Sequence, residues 1–197
     1  DALKEIFEGF DIAAFLPQLD SLMGWVETLL RLCVMAGPLI LLGFGLLERY
    51  DCADWAAWVQ ERCPLPIYLS GISMGAATVM MAAGEDLPDN VIGILADCGY
   101  SSPKEIISKV IRDMKLSPKL IYPLIKLGAK LFGRFDLEET SAVEALQRCK
   151  KPVIFFHGEA DEMVPCDMSR QCYGACASRK RLVTVPGAGH GLCYVVD

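Results

Sequence analysis

The sequence predicts an α/β fold in which a mostly parallel sheet is flanked by helices. Short, continuously apolar segments with the length of buried strands recur between residues 67 and 185, and segments with helical spacing lie between them. This alternation is typical of a parallel sheet covered by helices. Of the 197 residues, 53% are hydrophobic and 22% are charged, which favours one ordinary domain and excludes a disordered chain.

Residues 1–47 differ from the rest and are predicted to form an atypical hydrophobic helical segment. Apolar residues recur at helical spacing near the start, and residues 32–47 carry no charge. That run is slightly shorter than the roughly 17–25 residues of a spanning helix. Residues 22–47 could therefore enter a membrane, cover part of the sheet or be foreign to the following domain. The sequence leaves these three alternatives open.

Residues 48–197 are predicted to form the α/β domain. A first helix near residues 51–60 carries Trp55 and Trp58 on one face and ends before two prolines. Four short apolar segments are predicted to be strands, of which the first is expected to be buried: 67–70, 91–96, 152–156 and 182–185. A helix of small residues at 76–83 follows the first strand.

A helical cap is predicted between the second and third strands, at about residues 103–146, where three prolines separate short helices. Residues 103–135 contain eight lysines or arginines and only two acids, whereas the whole chain has a net charge of −6. A solvated helix face fits this charge, and so does a basic surface near an anionic substrate or a membrane. Five apolar residues of the cap could line an acyl pocket or pack in the core: Tyr122, Leu124, Leu127, Leu131 and Phe132.

The motif Gly71-Ile72-Ser73-Met74-Gly75 lies between a predicted strand and a predicted helix. This is the context of a nucleophile elbow, a tight turn that presents a serine hydroxyl above the edge of a sheet. Gly71 and Gly75 are expected to avoid collisions within the turn. The backbone N–H of Met74, at the start of the helix, is predicted to be one oxyanion donor, because free N–H groups there favour developing negative charge. The second donor is unknown.

A nucleophilic serine needs a base, and the chain contains only two histidines. His190 lies in a glycine-rich loop after the last strand and is predicted to be the base. His157, at the end of the third strand, is expected to hold the following turn by a local hydrogen bond. Asp161 is predicted to orient the base, since it follows a strand and completes the order serine, aspartate, histidine.

Three other acids remain alternatives to Asp161. Asp97 follows the second strand, whereas Glu159 and Glu162 lie beside Asp161 in the sequence. No metal site is predicted, because the nine cysteines have no repeated spacing and their tightest cluster lies at residues 166–176. The cysteines are expected to be free thiols in a reducing compartment. No organic cofactor is implied.

Five segments together resemble the α/β-hydrolase superfamily, and within it the bacterial serine-aminopeptidase-like and acyl-esterase-like branch. They are Glu48-Arg-Tyr-Asp-Cys-Ala-Asp-Trp, Gly71-Ile-Ser-Met-Gly-Ala-Ala-Thr, Ala96-Asp-Cys-Gly-Tyr-Ser-Ser, His157-Gly-Glu-Ala-Asp-Glu-Met-Val-Pro and Gly187-Ala-Gly-His. The resemblance implies a partial α/β-hydrolase fold that lacks the usual N-terminal strands and C-terminal helix, so the sheet is expected to have an open edge and an uncovered face. In this family a loop after one of those earlier strands supplies the second oxyanion donor.

The resemblance implies a serine hydrolase that cleaves an ester, amide or thioester through an acyl-enzyme on Ser73. The alternative is a catalytically impaired or truncated protein of this fold, tethered to a membrane or not, that acts as a binding module or has no function. The expected partner is a small-molecule or peptide acyl substrate, and the negative charge argues against nucleic acid. The expected location is the cytoplasm or, through residues 22–47, the cytoplasmic face of a membrane.

Overall fold

The computed structural model describes Gly24, residues 42–63 and residues 65–195. The chain from Leu42 to the C-terminus forms one compact unit. Most of the hydrophobic segment predicted at residues 1–47, and with it the membrane interpretation of residues 22–47, lies outside the described residues. None of the helices formed by the described residues has both the length and the apolar character needed to cross a membrane.

Four parallel strands form the sheet, and their order in space follows their order in the chain. The strands are β1 (Ile67–Ile72), β2 (Val91–Asp97), β3 (Val153–Gly158) and β4 (Lys180–Val185). The predicted strands are therefore all present, and the parallel sheet flanked by helices is confirmed. Because the strands are parallel, their carboxyl ends share one edge of the sheet, and the loops that follow them meet there.

Six α-helices and one π-helical turn precede or connect these strands in the described part of the chain. They are α1 (Glu48–Arg62), α2 (Met74–Ala82), α3 (Pro103–Asp113), α4 (Pro118–Gly128), the π-helical turn (Ala129–Gly133), α5 (Ala142–Leu146) and α6 (Cys166–Ala175). The helices α3 to α5 occupy the region predicted to be a helical cap. Ser102 caps α3 by accepting a hydrogen bond from the N–H of Glu105, and a proline occupies the first turn.

The core lies between one face of the sheet and the apolar helix α2. Ile94 and Phe155 from the sheet are almost fully buried, as are Ala76 and Met80 from α2. Small residues in α2 allow its backbone to approach the sheet closely, which brings the start of this helix to the end of β1. The opposite face of the sheet is less covered among the described residues.

The prediction that β1 is buried is wrong for half of its residues. Tyr68, Ser70 and Ile72 are exposed, whereas the alternate residues are partly buried. The physical reason is the position of β1 at the edge of the described sheet, where α2 covers only one of its faces. This observation agrees with the open edge and uncovered face that the resemblance implies.

Helix α1 packs through a different face from the one that its tryptophans suggest. Trp55 and Trp58 are exposed, whereas Arg49 is almost fully buried. The Arg49 guanidinium pairs with Glu85 at 3.0 Å and with Glu139 at 2.6 Å. These charged hydrogen bonds fix α1 to two other parts of the fold and compensate for burying the cation.

Four of the five apolar cap residues do not pack in the core. Tyr122 is buried, but Leu124, Leu127, Leu131 and Phe132 are exposed. The reason is the orientation of α4, which turns the side of Tyr122 toward the core and the leucines away from it. Core packing is therefore wrong for these four residues, and the acyl pocket stays a prediction.

Candidate active site

Ser73 lies in the turn between β1 and α2, with a φ of 57° and a ψ of −117°. A non-glycine residue rarely adopts a positive φ, and such strain persists only where the surrounding structure imposes it. Here the Ser73 N–H donates to the carbonyl of Asp97 at 2.9 Å, and the carbonyl of Ser73 accepts from Ala77 in α2. The turn is therefore held from both sides, with the geometry of a nucleophile elbow.

The two glycines of the elbow have different roles. A Cβ atom on Gly71 would lie 2.2 Å from the carbonyl carbon and oxygen of Gly75, so no side chain fits there. A Cβ atom on Gly75 would meet nothing within 4 Å. The expected collision is thus confirmed for Gly71 and wrong for Gly75, because the close approach is between the Cα of Gly71 and the backbone of Gly75.

We expect Gly71→Ala to lower the free energy of unfolding by about 3 kcal/mol or more, since the new methyl group meets backbone that cannot move without opening the turn. The matched control is Gly174→Ala in α6, where a Cβ atom has open space. Alanine in a helix is about 1 kcal/mol more favourable than glycine, so this control should be stabilised. Urea unfolding measures both changes, and equal stability of the two variants would contradict the packing described for the elbow.

His190 lies in the loop after β4 and reaches Ser73. Its Nε2 is 2.9 Å from the Oγ of Ser73, and its Nδ1 is 2.8 Å from the Oδ2 of Asp161. Gly187 and Gly191, with φ angles of 76° and 64°, provide the left-handed conformations on either side of the histidine. The loop also passes close to β3, because a Cβ atom on Gly158 would lie 2.2 Å from the carbonyl oxygen of Ala188.

Asp161 is held by its own loop as well as by His190. Its Oδ1 accepts hydrogen bonds from the backbone N–H groups of Met163 and Val164, both at 2.9 Å. Its side chain is completely shielded from solvent. With Oδ1 fixed in this way, Oδ2 is left to face the imidazole of His190.

The second histidine also lies near Asp161, since Nε2 of His157 is 3.2 Å from Oδ2 of Asp161, whereas the alternative acids do not contact His190. His157 is fully buried, its Nδ1 is 2.7 Å from the Ser169 hydroxyl, and its Nε2 is 2.8 Å from the carbonyl oxygen of Val164. The expected role of His157 in holding the turn is therefore confirmed. Both nitrogens of His190 are engaged by Ser73 and Asp161, so Asp97 is not the partner of His190, and Glu159 and Glu162 are exposed.

Cys98 is a neighbour of these residues that the sequence analysis did not single out. It follows β2, is completely buried and has a φ of 48°. Its sulfur, a carboxylate oxygen of Asp161 and a ring nitrogen of His190 lie within 4.8 Å of one another. Burial and, to a lesser extent, the charge of Asp97 raise the pKa of the Cys98 thiol to about 11, so the thiol is neutral near pH 7.

The position of Cys98 directly after β2 could have predicted that it lies near Asp161 and His190, because the residues that follow parallel strands meet at one edge of a sheet. Together with Asp161 and His190 it forms the one group in residues 42–63 and 65–195 whose donor atoms are close enough to hold a metal ion. The hydrogen bonds of His190 engage both of its nitrogens with Ser73 and Asp161, which favours a proton-transfer arrangement over metal binding. All eight cysteines in the described residues are free thiols, as expected.

The start of α2 provides the candidate oxyanion donor beside Ser73. Met74 is the first residue of α2, so its N–H has no acceptor within the helix. Among the described residues β1 has no strand on its other side. In the resembling family, the second oxyanion donor comes from a loop on that side, and we assign none of the described residues to it.

No protein-family model matches the chain. The chain is 26% identical over 154 residues to YqkD, an uncharacterized protein of Bacillus subtilis (strain 168), and the match covers 77% of this chain and 50% of YqkD. The chain spans about half the length of the curated relatives it matches.

Two solved structures share the arrangement of strands and helices. A puromycin-hydrolyzing peptidase of Mycobacterium tuberculosis matches with a TM-score of 0.58 and 22% identity, over 75% of this chain and 22% of the peptidase. An esterase of Pyrococcus furiosus matches with a TM-score of 0.53 and 20% identity, over 75% of this chain and 55% of the esterase. The compact unit that begins at Leu42 therefore has an α/β-hydrolase fold, present in part.

Proposed function

We propose that this chain is a serine hydrolase that transfers an acyl group from its substrate to water through an acyl-enzyme on Ser73. The observation that carries the proposal is the continuous hydrogen-bond chain from Ser73 through His190 to Asp161, with separations of 2.9 and 2.8 Å. Each member follows a different parallel strand, so the three side chains meet at one edge of the sheet. A nucleophile, a base within hydrogen-bond distance and a group that orients the base are the parts that acyl transfer needs.

In the first step the Oγ of Ser73 attacks the substrate carbonyl and its proton passes to Nε2 of His190. This transfer requires the tautomer in which Nδ1 carries a proton and donates to Asp161. The two backbone N–H groups that donate to Oδ1 of Asp161 fix the orientation of its carboxyl group. The carboxylate then stabilises the imidazolium that forms during the attack.

The negative charge on the substrate oxygen needs donors that are already oriented. We assign the N–H of Met74 to this role, because it is the first free N–H of α2 and the dipole of the helix favours an anion there. Losing one such donor typically lowers kcat by about 10²–10³-fold. The rate of this chain therefore depends strongly on whether a second donor completes the site.

His190 then returns the proton to the leaving group, which departs and leaves the acyl group on Ser73. A water molecule takes the place of the leaving group, gives a proton to Nε2 and attacks the acyl carbon. The bond between the acyl carbon and Oγ of Ser73 then breaks, and Nε2 returns its proton to Oγ. The products are a carboxylic acid and the free serine. An ester, an amide or a thioester can react in this way, and the esterase and peptidase names of the structural neighbours fit a small-molecule or peptide acyl substrate.

Burst kinetics with p-nitrophenyl acetate test the proposal. If an acyl-enzyme forms faster than water removes it, one equivalent of p-nitrophenol per protein appears before the steady rate. Ser70→Ala is the matched control, because Ser70 lies on the same strand but on its exposed face. Release of p-nitrophenol at the rate of the buffer alone, from folded protein, would contradict the proposal.

The second candidate is a protein of this fold that binds a ligand without catalysing acyl transfer. The observation in its favour is the edge position of β1, which leaves the Met74 N–H as the one oxyanion donor we assign. This candidate predicts that p-nitrophenyl acetate reacts with neither a burst nor a steady rate. The two candidates therefore make opposite predictions for the same experiment.

A further inference from the structure

The cap carries an exposed apolar stripe that the proposed reaction does not use. We call it the cap stripe and define it as Leu120, Leu124, Leu127, Leu131 and Phe132. Their side chains are 72%, 65%, 52%, 63% and 76% exposed, respectively. Single exposed apolar residues are ordinary on protein surfaces, but a continuous row of five indicates a surface that contacts something.

Helical spacing brings the leucines of the stripe together. Leu120, Leu124 and Leu127 follow one another at intervals of four and three residues on α4, so they project from one side of the helix. Leu131 continues this row into the π-helical turn. The opposite side of α4 is anchored in the core through Tyr122, so the helix cannot rotate to bury the leucines.

Positive charge surrounds the stripe and is not neutralised by the protein itself. Three lysines of the cap region pair with acids, at Lys104–Glu138, Lys109–Asp113 and Lys126–Glu138. Within residues 42–63 and 65–195, no acidic side chain forms an ion pair with four further exposed cations: Lys115, Lys119, Lys130 and Arg134. Residues 103–135 carry a net charge of +6 in a chain whose net charge is −6.

We propose that the cap stripe and the four cations that flank it dock on an anionic lipid surface. Leucines enter the boundary between headgroups and acyl chains, while lysines and arginines contact the anionic headgroups, as in interfacial amphipathic helices. Each lysine or arginine near such a surface strengthens binding by about fivefold. Four unpaired cations close in sequence to five exposed apolar side chains provide both contributions in one region of the cap.

The same charges argue against a second copy of this chain as the occupant. Two copies that met through the cap stripe would bring Lys115, Lys119, Lys130 and Arg134 of each copy together, and like charges across an interface oppose association. A neutral apolar groove would offer these cations no partner. An anionic bilayer is the occupant that satisfies both the apolar row and the charges beside it.

Co-sedimentation of the full chain with vesicles tests this proposal. One set of vesicles contains phosphatidylcholine alone, and the other contains equal parts of phosphatidylcholine and phosphatidylglycerol. The charge variant combines Lys119→Glu and Lys130→Glu, and the apolar variant combines Leu124→Ser and Leu131→Ser. Matched controls outside the cap are Lys150→Glu with Arg181→Glu for charge and Leu65→Ser for apolar exposure, because all three residues are exposed.

We expect the wild type to bind the anionic vesicles more tightly than the neutral ones, and less tightly at high salt. The charge variant should lose at least about thirtyfold in affinity for the anionic vesicles, and the apolar variant at least about tenfold. The controls should lose less than about twofold, since their side chains lie outside the docking surface.

Three results would overturn the proposal. The first is an absence of binding by the wild type to anionic vesicles. The second is equal binding of the wild type and both cap variants, which would assign membrane binding to another part of the chain. The third is a dimer in sedimentation velocity that the apolar variant converts to a monomer, with vesicle binding unchanged. That outcome would assign the cap stripe to self-association.

Discussion

Replacing Ser73 by alanine is expected to lower kcat/KM for p-nitrophenyl acetate by about 10⁴-fold or more, the size of loss that removing the nucleophile of a serine hydrolase causes. The reason is that Ser73 provides the one hydroxyl within hydrogen-bond distance of Nε2 of His190 in the described chain. Steady-state kinetics measure the change. Unfolding in urea should change little, because the alanine keeps the backbone of the elbow.

The control for this change is Ser70→Ala, which removes a hydroxyl from the same strand at a position that faces solvent. It should leave kcat/KM within about twofold of the wild type. Equal activity of Ser73→Ala and the wild type would contradict the assignment of the nucleophile. Loss of activity in both variants would instead indicate damage to β1.

Replacing Asp161 by asparagine is expected to lower kcat by about 10⁴-fold with little change in KM, because the substitution reverses one hydrogen bond. The carbonyl oxygen of an asparagine would keep the bonds from Met163 and Val164, which leaves its NH₂ group facing Nδ1 of His190. The imidazole would then carry its proton on Nε2, toward Ser73. In that tautomer it cannot accept the serine proton.

The control is Asp167→Asn, which removes an exposed carboxylate at the start of α6 and its ion pair with Arg170. Exposed ion pairs contribute at most about 1 kcal/mol, so kcat and stability should both stay close to the wild type. An Asp161→Asn protein with wild-type kcat would show that His190 does not need Asp161, and the order of the hydrogen-bond chain would have to be reconsidered.

Local sequence patterns were sufficient to predict the strands and the residues that meet at their ends. A tight Gly-x-Ser-x-Gly turn, a glycine-rich histidine loop and an acid after a strand each have short-range causes that the sequence displays. Because parallel strands bring their carboxyl ends together, their order along the chain was enough to predict that Ser73, Asp161 and His190 lie close together.

The burial of individual side chains could not be predicted in the same way. Periodicity shows that Trp55 and Trp58 share a face of α1, but it does not show which face packs on α2. The structure buries Arg49 instead, through acids that lie 36 and 90 residues away in the sequence. Such pairings depend on the tertiary arrangement and leave no local signal.

The exposure of the cap leucines and the role of Gly75 show the same limitation. Leucines at helical spacing usually indicate a core face, and α4 departs from this rule because Tyr122 on its other side fills the core position. The two glycines of the elbow look equivalent in the sequence, yet an added Cβ atom would collide with backbone only at Gly71. The exposure of the leucines and the collision at the glycine both depend on three-dimensional distances that the residue types do not reveal.

The most direct test of the central claim is to locate the adduct of a fluorophosphonate probe by mass spectrometry of the full chain. Such probes phosphonylate a serine that a neighbouring base activates, so the hydrogen-bond chain through His190 predicts one adduct, on the peptide that contains Ser73. The adduct should be absent from Ser73→Ala and strongly reduced in Asp161→Asn. An unmodified wild-type protein, or an adduct on another serine, would contradict the claim that Ser73 is the nucleophile.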